Sequence, residues 1–317
     1  MSQPFRLNKE GLINRNKKIS FTFNGKKLFG YEGDTIASAL IANGIHLVGR
    51  SFKYHRPRGF FGAGVEEPNA KLQVEFNGHS EPNVNATEME LVEGLSATSQ
   101  NCWPSVNFDI GAINNFLKMF FPAGFYYKTF MWPKSFWYKI YEPFIRKAAG
   151  LGVASLEKDK ERYEHKFEYC DLLVTGSGPS GLASAYAAAK NGAKVILAED
   201  KPRFGGTLLT DDVSIDNLSG KDWAEKIVSE LKSMPNVTVK NRSQVFGYYD
   251  HNMLVMFERV SDHLEKKSKF TPRQRLWYIR AKETILSTGS IERPIVFGNN
   301  DTPGIFLSAA AKEYMKV

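Results

Sequence analysis

Cysteine is nearly absent from this chain: there are two in 317 residues, Cys102 and Cys170. Two thiols cannot build a disulfide framework, so a reduced, cytoplasmic setting is expected. Long apolar runs are absent as well. The segment richest in apolar residues, 116–144, has a longest uncharged run of nine residues, 119–127, whereas a membrane span needs about 20. The amino terminus, MSQPFRLNKEGLINRNKK, carries charge throughout and has no apolar core of the kind a signal peptide needs. Histidine is scarce. None of the six (His46, His55, His79, His165, His251 and His263) stands at metal-ligand spacing from another, and none adjoins a Ser or Cys in a nucleophile pattern. No metal centre and no catalytic residue is therefore expected. Charge of one sign is not segregated either. The net +8 arises from 42 Lys and Arg scattered among 34 acidic residues. That reads as a solvated surface, and neither nucleic acid nor membrane is expected as a partner.

What is present divides into parts. A chain of 317 residues exceeds one ordinary domain. Composition separates residues 1–100, a connector 101–165, and a second domain 166–317. The first part opens with ISFTF, the two-residue turn Asn24-Gly25 and the return strand KKLFGY, a strong hairpin signal. Asp34 or Thr35 then caps a helix carrying Ile36, Ala37, Leu40 and Ile41 on one face, and Gly44 ends it. Hairpin followed by helix resembles the plant-type ferredoxin fold. In that fold the next loop carries cysteines at C-x4-C-x2-C spacing that hold a [2Fe–2S] cluster. Here the corresponding loop, 49–68, has no cysteine, so a cysteine-less ferredoxin-like β-grasp domain with no iron–sulfur cluster is expected. Its basic stretch GRSFKYHRPRG (49–59) is expected to pack, or to pair with carboxylates such as Glu66 and Glu67. An interface with another subunit or an anionic cofactor is the other reading, since Arg binds such groups bidentately.

The connector is aromatic: 13 of the 29 residues in 116–144 are Phe, Trp or Tyr, and Pro122, Pro133 and Pro143 interrupt any long helix. Such a patch is expected to be buried between the domains or at a subunit interface. The charged run 155–168 is expected at the surface.

The most informative stretch is 169–200. DLLVTG is a continuous apolar run, as buried parallel strands are. Gly176, Gly178 and Gly181 form G-x-G-x-x-G, a helix-forming run ends at Gly192, and a second strand ends at Glu199. The first glycine permits the turn, the second lets a pyrophosphate approach, and the third lets helix and strand pack. The helix N-terminus presents N–H groups to the anion, and Glu199 is placed to accept from a ribose hydroxyl. The loop residues Gly176, Ser177, Gly178, Pro179, Ser180 and Gly181 are therefore candidates for holding a dinucleotide. The pair Gly205-Gly206 shortly after the acid, and the strand ending at Thr288-Gly289, resemble the two-dinucleotide-binding flavoprotein superfamily. The predicted architecture is α/β and α+β: the β-grasp domain followed by an incomplete Rossmann-like FAD/NAD(P)-binding domain. The glycine loop handles pyrophosphate in both NAD and FAD and does not choose between them.

Five stretches carry a more specific resemblance: GDTIASALIANGIHLVGRSFKYHRPRG, ATSQNCWPSV, AGFYYKTFMWP, the glycine fingerprint, and RLWYIRAKETILSTGSIERPIVFGNNDTPGIFLSAAAKEY. In this order they resemble the α subunit of heterotetrameric sarcosine oxidase, from about residue 15 to 317. The resemblance implies an NAD-binding second domain, with Ser180, Glu199, Asp200, Lys201, Thr207 and Val245 lining the site. It also implies FAD and FMN on or shared with partner chains, β-, γ- and δ-type subunits, and oxidative demethylation of sarcosine to glycine. The family's α subunit is far longer and ends in an aminomethyltransferase-like domain. The chain stops at Val317 without it, so a truncated or split subunit, inactive in isolation, is expected. Two other readings stand beside this one: an FAD-binding α subunit of a related amine, opine or proline dehydrogenase complex, and a non-catalytic binding module.

Overall fold

A computed structural model describes residues 3–9, 11–122, 124 and 129–317. The chain forms two compact units. Residues 1–159 with 292–315 make the first, and 160–291 with 316–317 the second. The sequence division into 1–100, 101–165 and 166–317 differs from this in where it places the connector and residues 292–315.

In the first unit, β1 (Asn14–Phe23) and β2 (Lys26–Glu32) pair antiparallel around Asn24 and Gly25, whose φ values of 48° and 76° make the tight turn. Helix α1 (Ile36–Ala42) starts at Thr35, whose side chain accepts from the Ser38 N–H while the Ser38 hydroxyl accepts from the Thr35 N–H. Asp34 is not the cap. It is buried and binds Arg6 bidentately at 2.8 and 2.7 Å. Strands β3 (Lys71–Phe76), β4 (His79–Asn85) and β5 (Ser96–Ser99) complete a five-stranded sheet in the order β2-β1-β5-β3-β4. The β1–β5 pair is parallel and the others antiparallel. The apolar face of α1 (Ile36, Ala37, Leu40) joins Phe21, Phe23, Leu72 and Leu95 in one core.

The basic stretch is absorbed into this unit. Arg56 and Arg58 both pair with Asp301, Arg50 donates to the Val106 carbonyl at 2.8 and 2.6 Å, and His55 Nδ1 lies 2.6 Å from Asp109. Glu66 and Glu67, the expected partners, do something else. Glu67 is 1% exposed and accepts from the backbone N–H groups of Phe61, Gly62, Asn69 and Ala70. Glu66 accepts from Ala63 and Gly64. A tight buried loop strands its N–H groups, and these two carboxylates satisfy them. The partner Asp301 comes from the segment 292–315, which sequence reading had placed in the second domain. Tyr314, within that segment, donates to the Gly62 carbonyl at 2.9 Å.

The aromatic segment is open to solvent within this chain. Phe116, Met119, Trp132 and Tyr138 are all more than 80% exposed. Residues 123 and 125–128 of the expected buried patch lie outside the described residues. Among the described residues no helix is long and apolar enough to cross a membrane.

In the second unit, six strands run in the order β8-β7-β6-β11-β10-β9, where β6 is Tyr163–Thr175, β7 Val195–Ala198, β8 Val237–Lys240, β9 Ser243–Tyr249, β10 Met253–Arg259 and β11 Gln274–Leu286. The four from β8 to β11 across β7 and β6 are parallel; β10 and β9 add antiparallel. Alternate residues of β6 and β7 face opposite layers. Leu172, Val174, Val195 and Leu197 pack under α2 (Pro179–Lys190) and α3 (Gly220–Ser233), and Leu173, Ile196 and Ala198 pack with Leu254, Met256 and Ile279. The charged run at 163–168, expected at the surface, is largely exposed and is strand. It is the solvent-facing half of β6, held extended by pairing with β11 along its length.

Candidate functional site: a glycine loop at the carboxyl ends of the strands

The parallel strands end together around residue 176, and each glycine there answers a distinct contact. Gly176 has φ 95°, and a Cβ on it would sit 2.3 Å from the Ser287 carbonyl oxygen, where β11 leaves the sheet. A Cβ on Gly181 would lie 1.9 Å from the Gly176 carbonyl oxygen. These two are required by the loop's own packing. Gly178 is different: a Cβ there meets nothing within 4 Å, and its φ is an ordinary −66°. Gly178 is also the N-cap of α2, Pro179 occupies the first turn, and no side chain caps the helix. The N-terminus of a 12-residue helix thus faces open space over a residue with no side chain, as an anion cradle requires.

The second glycine pair closes on the same point. Gly205 (φ 125°) donates to the Ser177 carbonyl at 3.1 Å and to Ser177 Oγ at 3.2 Å. A Cβ on Gly206 would be 3.0 Å from the Gly178 Cα. Thr207 follows, exposed, in the short turn 206–209. On the other side, Ser287 donates to the Thr175 carbonyl, which brings Thr288 and Gly289 (φ 71°) beside Gly176. The side-chain oxygen of Thr175, buried at the base of the loop, has no partner.

Glu199 stands at the end of β7, 6% exposed. Its Oε2 accepts from both the N–H (2.9 Å) and the hydroxyl of Ser177, and its Oε1 accepts from the Lys201 N–H at 3.0 Å. Burial pushes its carboxyl up to about 7, with the neighbouring Asp200 carboxyl adding to the rise and the Ser177 bond opposing it. Asp200 lies alongside, its carbonyl accepting from Arg259. Ser180 is exposed on the first turn of α2. Val245 is not brought to the loop by any such bond; it packs against the second apolar face, although Ser243 of the same strand donates to the Glu199 carbonyl at 2.7 Å. Sequence reading missed Thr175, Arg259 and Arg242, the last at φ 51° with its N–H on the Lys201 carbonyl. No local pattern marks them, because β10 and the turn before β9 reach the site only through sheet pairing.

Comparison with known proteins bears on the cofactor. Residues 171–256 match the family described as FAD dependent oxidoreductase, and residues 16–102 the 2Fe-2S iron-sulfur cluster binding domain. The chain is 53% identical over 311 residues to sarcosine oxidase subunit alpha of Rhizobium meliloti (strain 1021), covering 98% of this chain and 32% of that protein. It is 34% identical to the corresponding subunit of Corynebacterium sp. (strain U-96), covering 99% of this chain and 29% of that one. The fold superposes on L-proline dehydrogenase from P. horikoshii with a TM-score of 0.62 at 20% identity, covering 99% of this chain and 48% of that structure. The chain is thus a homologue of the sarcosine oxidase alpha subunit, and it spans about a third of the length of the curated relatives it matches.

Two expectations are corrected by these matches. The NAD assignment gives way to FAD, because the matched family of 171–256 is FAD-dependent. The glycine spacing could not have chosen, since it reads the pyrophosphate common to both dinucleotides. The description of the first domain as cysteine-less and without an iron–sulfur cluster also gives way, because 16–102 matches a cluster-binding domain and that segment contains Cys102. The donor set can be tested directly. A [2Fe–2S] cluster of this class takes four thiolates. Cys102 is the one cysteine of the matched segment, and burial holds its thiol above the usual range. Among the described residues no group of three or more His, Cys, Asp or Glu lies together to hold a metal. These residues do not fit a cluster, and no chemistry is routed through one. The second unit does fit a dinucleotide: the open space at Gly178 and the uncapped helix end lie together there.

Proposed function

We propose that the second unit binds FAD at the 176–181 loop, and that the chain acts as the flavin-dependent subunit of a complex that oxidises sarcosine or a closely similar N-methyl amine. The observation that carries this reading is the 53% identity over nearly the whole chain to a sarcosine oxidase alpha subunit. The open cradle at Gly178 supports the placement of the cofactor. In it, the N–H groups of the loop and the α2 N-terminus receive the pyrophosphate, Glu199 and Asp200 face the adenosine ribose, and Gly205, Gly206 and Thr207 form the opposite lip. Ser180, Lys201, Thr288 and Gly289 flank the same cleft. When bound, FAD supplies two-electron acceptance from a C–N bond. The chain's own part is to bind and orient it and to keep water from the buried loop. Partner chains of β, γ and δ type complete the oxidase in this reading.

The test is a titration of the purified chain with FAD and with NAD, followed by mixing with candidate partner chains and sarcosine. Saturable FAD binding that NAD does not displace, and sarcosine-dependent flavin bleaching in the mixture, are expected. Equal affinity for the two dinucleotides would overturn the cofactor assignment.

A further inference from the structure

We propose that Ser177 is a positioning residue of the dinucleotide site, and that by tying the Glu199 carboxyl to the second glycine pair it links dinucleotide affinity to the protonation of that carboxyl. The inference rests on the FAD reading above. Ser177 occupies the first variable position of the G-x-G-x-x-G loop, where spacing rules ask for nothing in particular, yet it is completely buried. Its hydroxyl donates to Glu199 Oε2 and accepts from the Gly205 N–H, while its own N–H donates to the same Oε2. One side chain therefore joins the glycine loop, the end of β7 and the Gly205-Gly206 lip.

The chemistry follows from what a ribose needs. Its hydroxyls can donate to a carboxylate, and the Glu199 oxygens already accept from the Ser177 N–H, the Ser177 hydroxyl and the Lys201 N–H; protonation removes acceptor capacity that a ribose would use and so weakens the contact. Burial, with the adjacent Asp200 carboxyl adding to it, favours protonated Glu199, while the Ser177 hydroxyl and the Lys201 N–H favour the ionised form. These opposing effects leave the Glu199 carboxyl raised to about 7. The charged groups on the elements packed around it are Lys201, Lys240, Arg242 and Arg259. Lys240 is engaged by Glu258 and Arg259 by the Asp200 carbonyl. The group there whose acidity is displaced toward neutrality is Glu199, so the step belongs to it. As pH falls, binding must first strip a proton from Glu199, and affinity drops by up to tenfold per pH unit. Removing the Ser177 hydroxyl removes a contact that favours ionisation, so the step moves to higher pH.

The experiment is FAD fluorescence titration of the full chain from pH 5.5 to 8.5, a window in which FAD itself has no titrating group. Wild type is expected to show affinity that is flat at the alkaline end and weakens by threefold to tenfold per unit at the acid end. Ser177→Ala is expected to shift that step upward, Ser177→Thr to restore it, and Glu199→Gln to flatten the profile. A serine with only a structural role would lower affinity equally at every pH, and that result in Ser177→Ala overturns the proposal. Should that variant not fold, the wild-type and Glu199→Gln profiles decide: a flat wild-type profile, or a Glu199→Gln profile identical to a sloping wild type, overturns it. FAD binding that is tight but pH-independent defeats this inference and leaves the FAD reading standing, whereas no FAD binding at any pH defeats both.

Discussion

Replacing each fingerprint glycine by alanine should separate folding from binding, because the three positions meet different surroundings. At Gly181 the new Cβ would stand 1.9 Å from the Gly176 carbonyl oxygen, which is backbone and cannot swing aside. The helix must lift off the loop, and overpacking of this kind costs about 1–3 kcal/mol or somewhat more. At Gly176 two costs combine. The positive φ of 95° is unfavourable for alanine by roughly 1–2 kcal/mol, and the Cβ meets the Ser287 carbonyl at 2.3 Å, adding about 1–3 kcal/mol. At Gly178 neither applies. The backbone is ordinary and the space is open. Gly178→Ala loses glycine's advantage at the N-cap but restricts the unfolded chain, so stability should change by less than about 1 kcal/mol in either direction. Its methyl group instead stands where the pyrophosphate approaches, and FAD affinity should fall by about 100-fold, or roughly 2.7 kcal/mol. Urea unfolding followed by intrinsic fluorescence gives the stabilities, and flavin fluorescence gives the affinities. If Gly178→Ala unfolds as readily as Gly181→Ala, or binds FAD like wild type, the division of labour argued from these contacts is wrong.

Three further outcomes are expected. Glu67→Ala strands four backbone N–H groups, two buried and two half-buried, so it should destabilise the first unit by about 2–4 kcal/mol, with amide exchange accelerated over 61–70; exchange unchanged there would contradict the capping role. Asp301→Ala releases Arg56 and Arg58 and should cost about 1.5–3 kcal/mol in chemical denaturation, while full stability would show these pairs to be incidental. The ligand-free chain should lose stability as pH rises from 4.5 to 7. In the folded state Glu199 is a weaker acid than usual, raised from 4.5 to about 7, so its contribution is full below about 4.5 and is lost as pH passes about 7; the loss is on the order of 3 kcal/mol, and Glu199→Gln should abolish it in melts across this range.

How far this structure could be read from residue order depends on whether a feature is local. The Asn24-Gly25 hairpin, the helix after Thr35 and the strand–glycine–helix unit at 170–190 are each specified within a few residues by turn geometry, capping or periodicity. Features built by distant residues were out of reach. The basic stretch was correctly expected to pack or pair, but its carboxylate partner, Asp301, is 243 residues from Arg58. The nearer candidates, Glu66 and Glu67, were already needed by N–H groups that a sequence does not display as unsatisfied. The segment 163–168 was expected at the surface and is largely exposed, but that it is strand is set by pairing with β11, which its charges do not display.

The candidate site shows the same division at finer scale. Its glycines, Glu199 and the return at Thr288 were legible because each fills a steric or electrostatic role that one residue type satisfies. Which dinucleotide fills it was not, since the loop reads only the pyrophosphate. Ser177 was within the fingerprint and therefore named, but its role was hidden. A serine beside two glycines signals flexibility in one dimension, and only the fold places its hydroxyl between the acid of β7 and the N–H of Gly205. Val245, expected at the ligand from its position after the third strand, has its side chain partly buried against the sheet's second apolar layer. A residue's rank along the chain fixes which strand end it lies near, while the two-residue period of that strand decides whether it meets ligand or core.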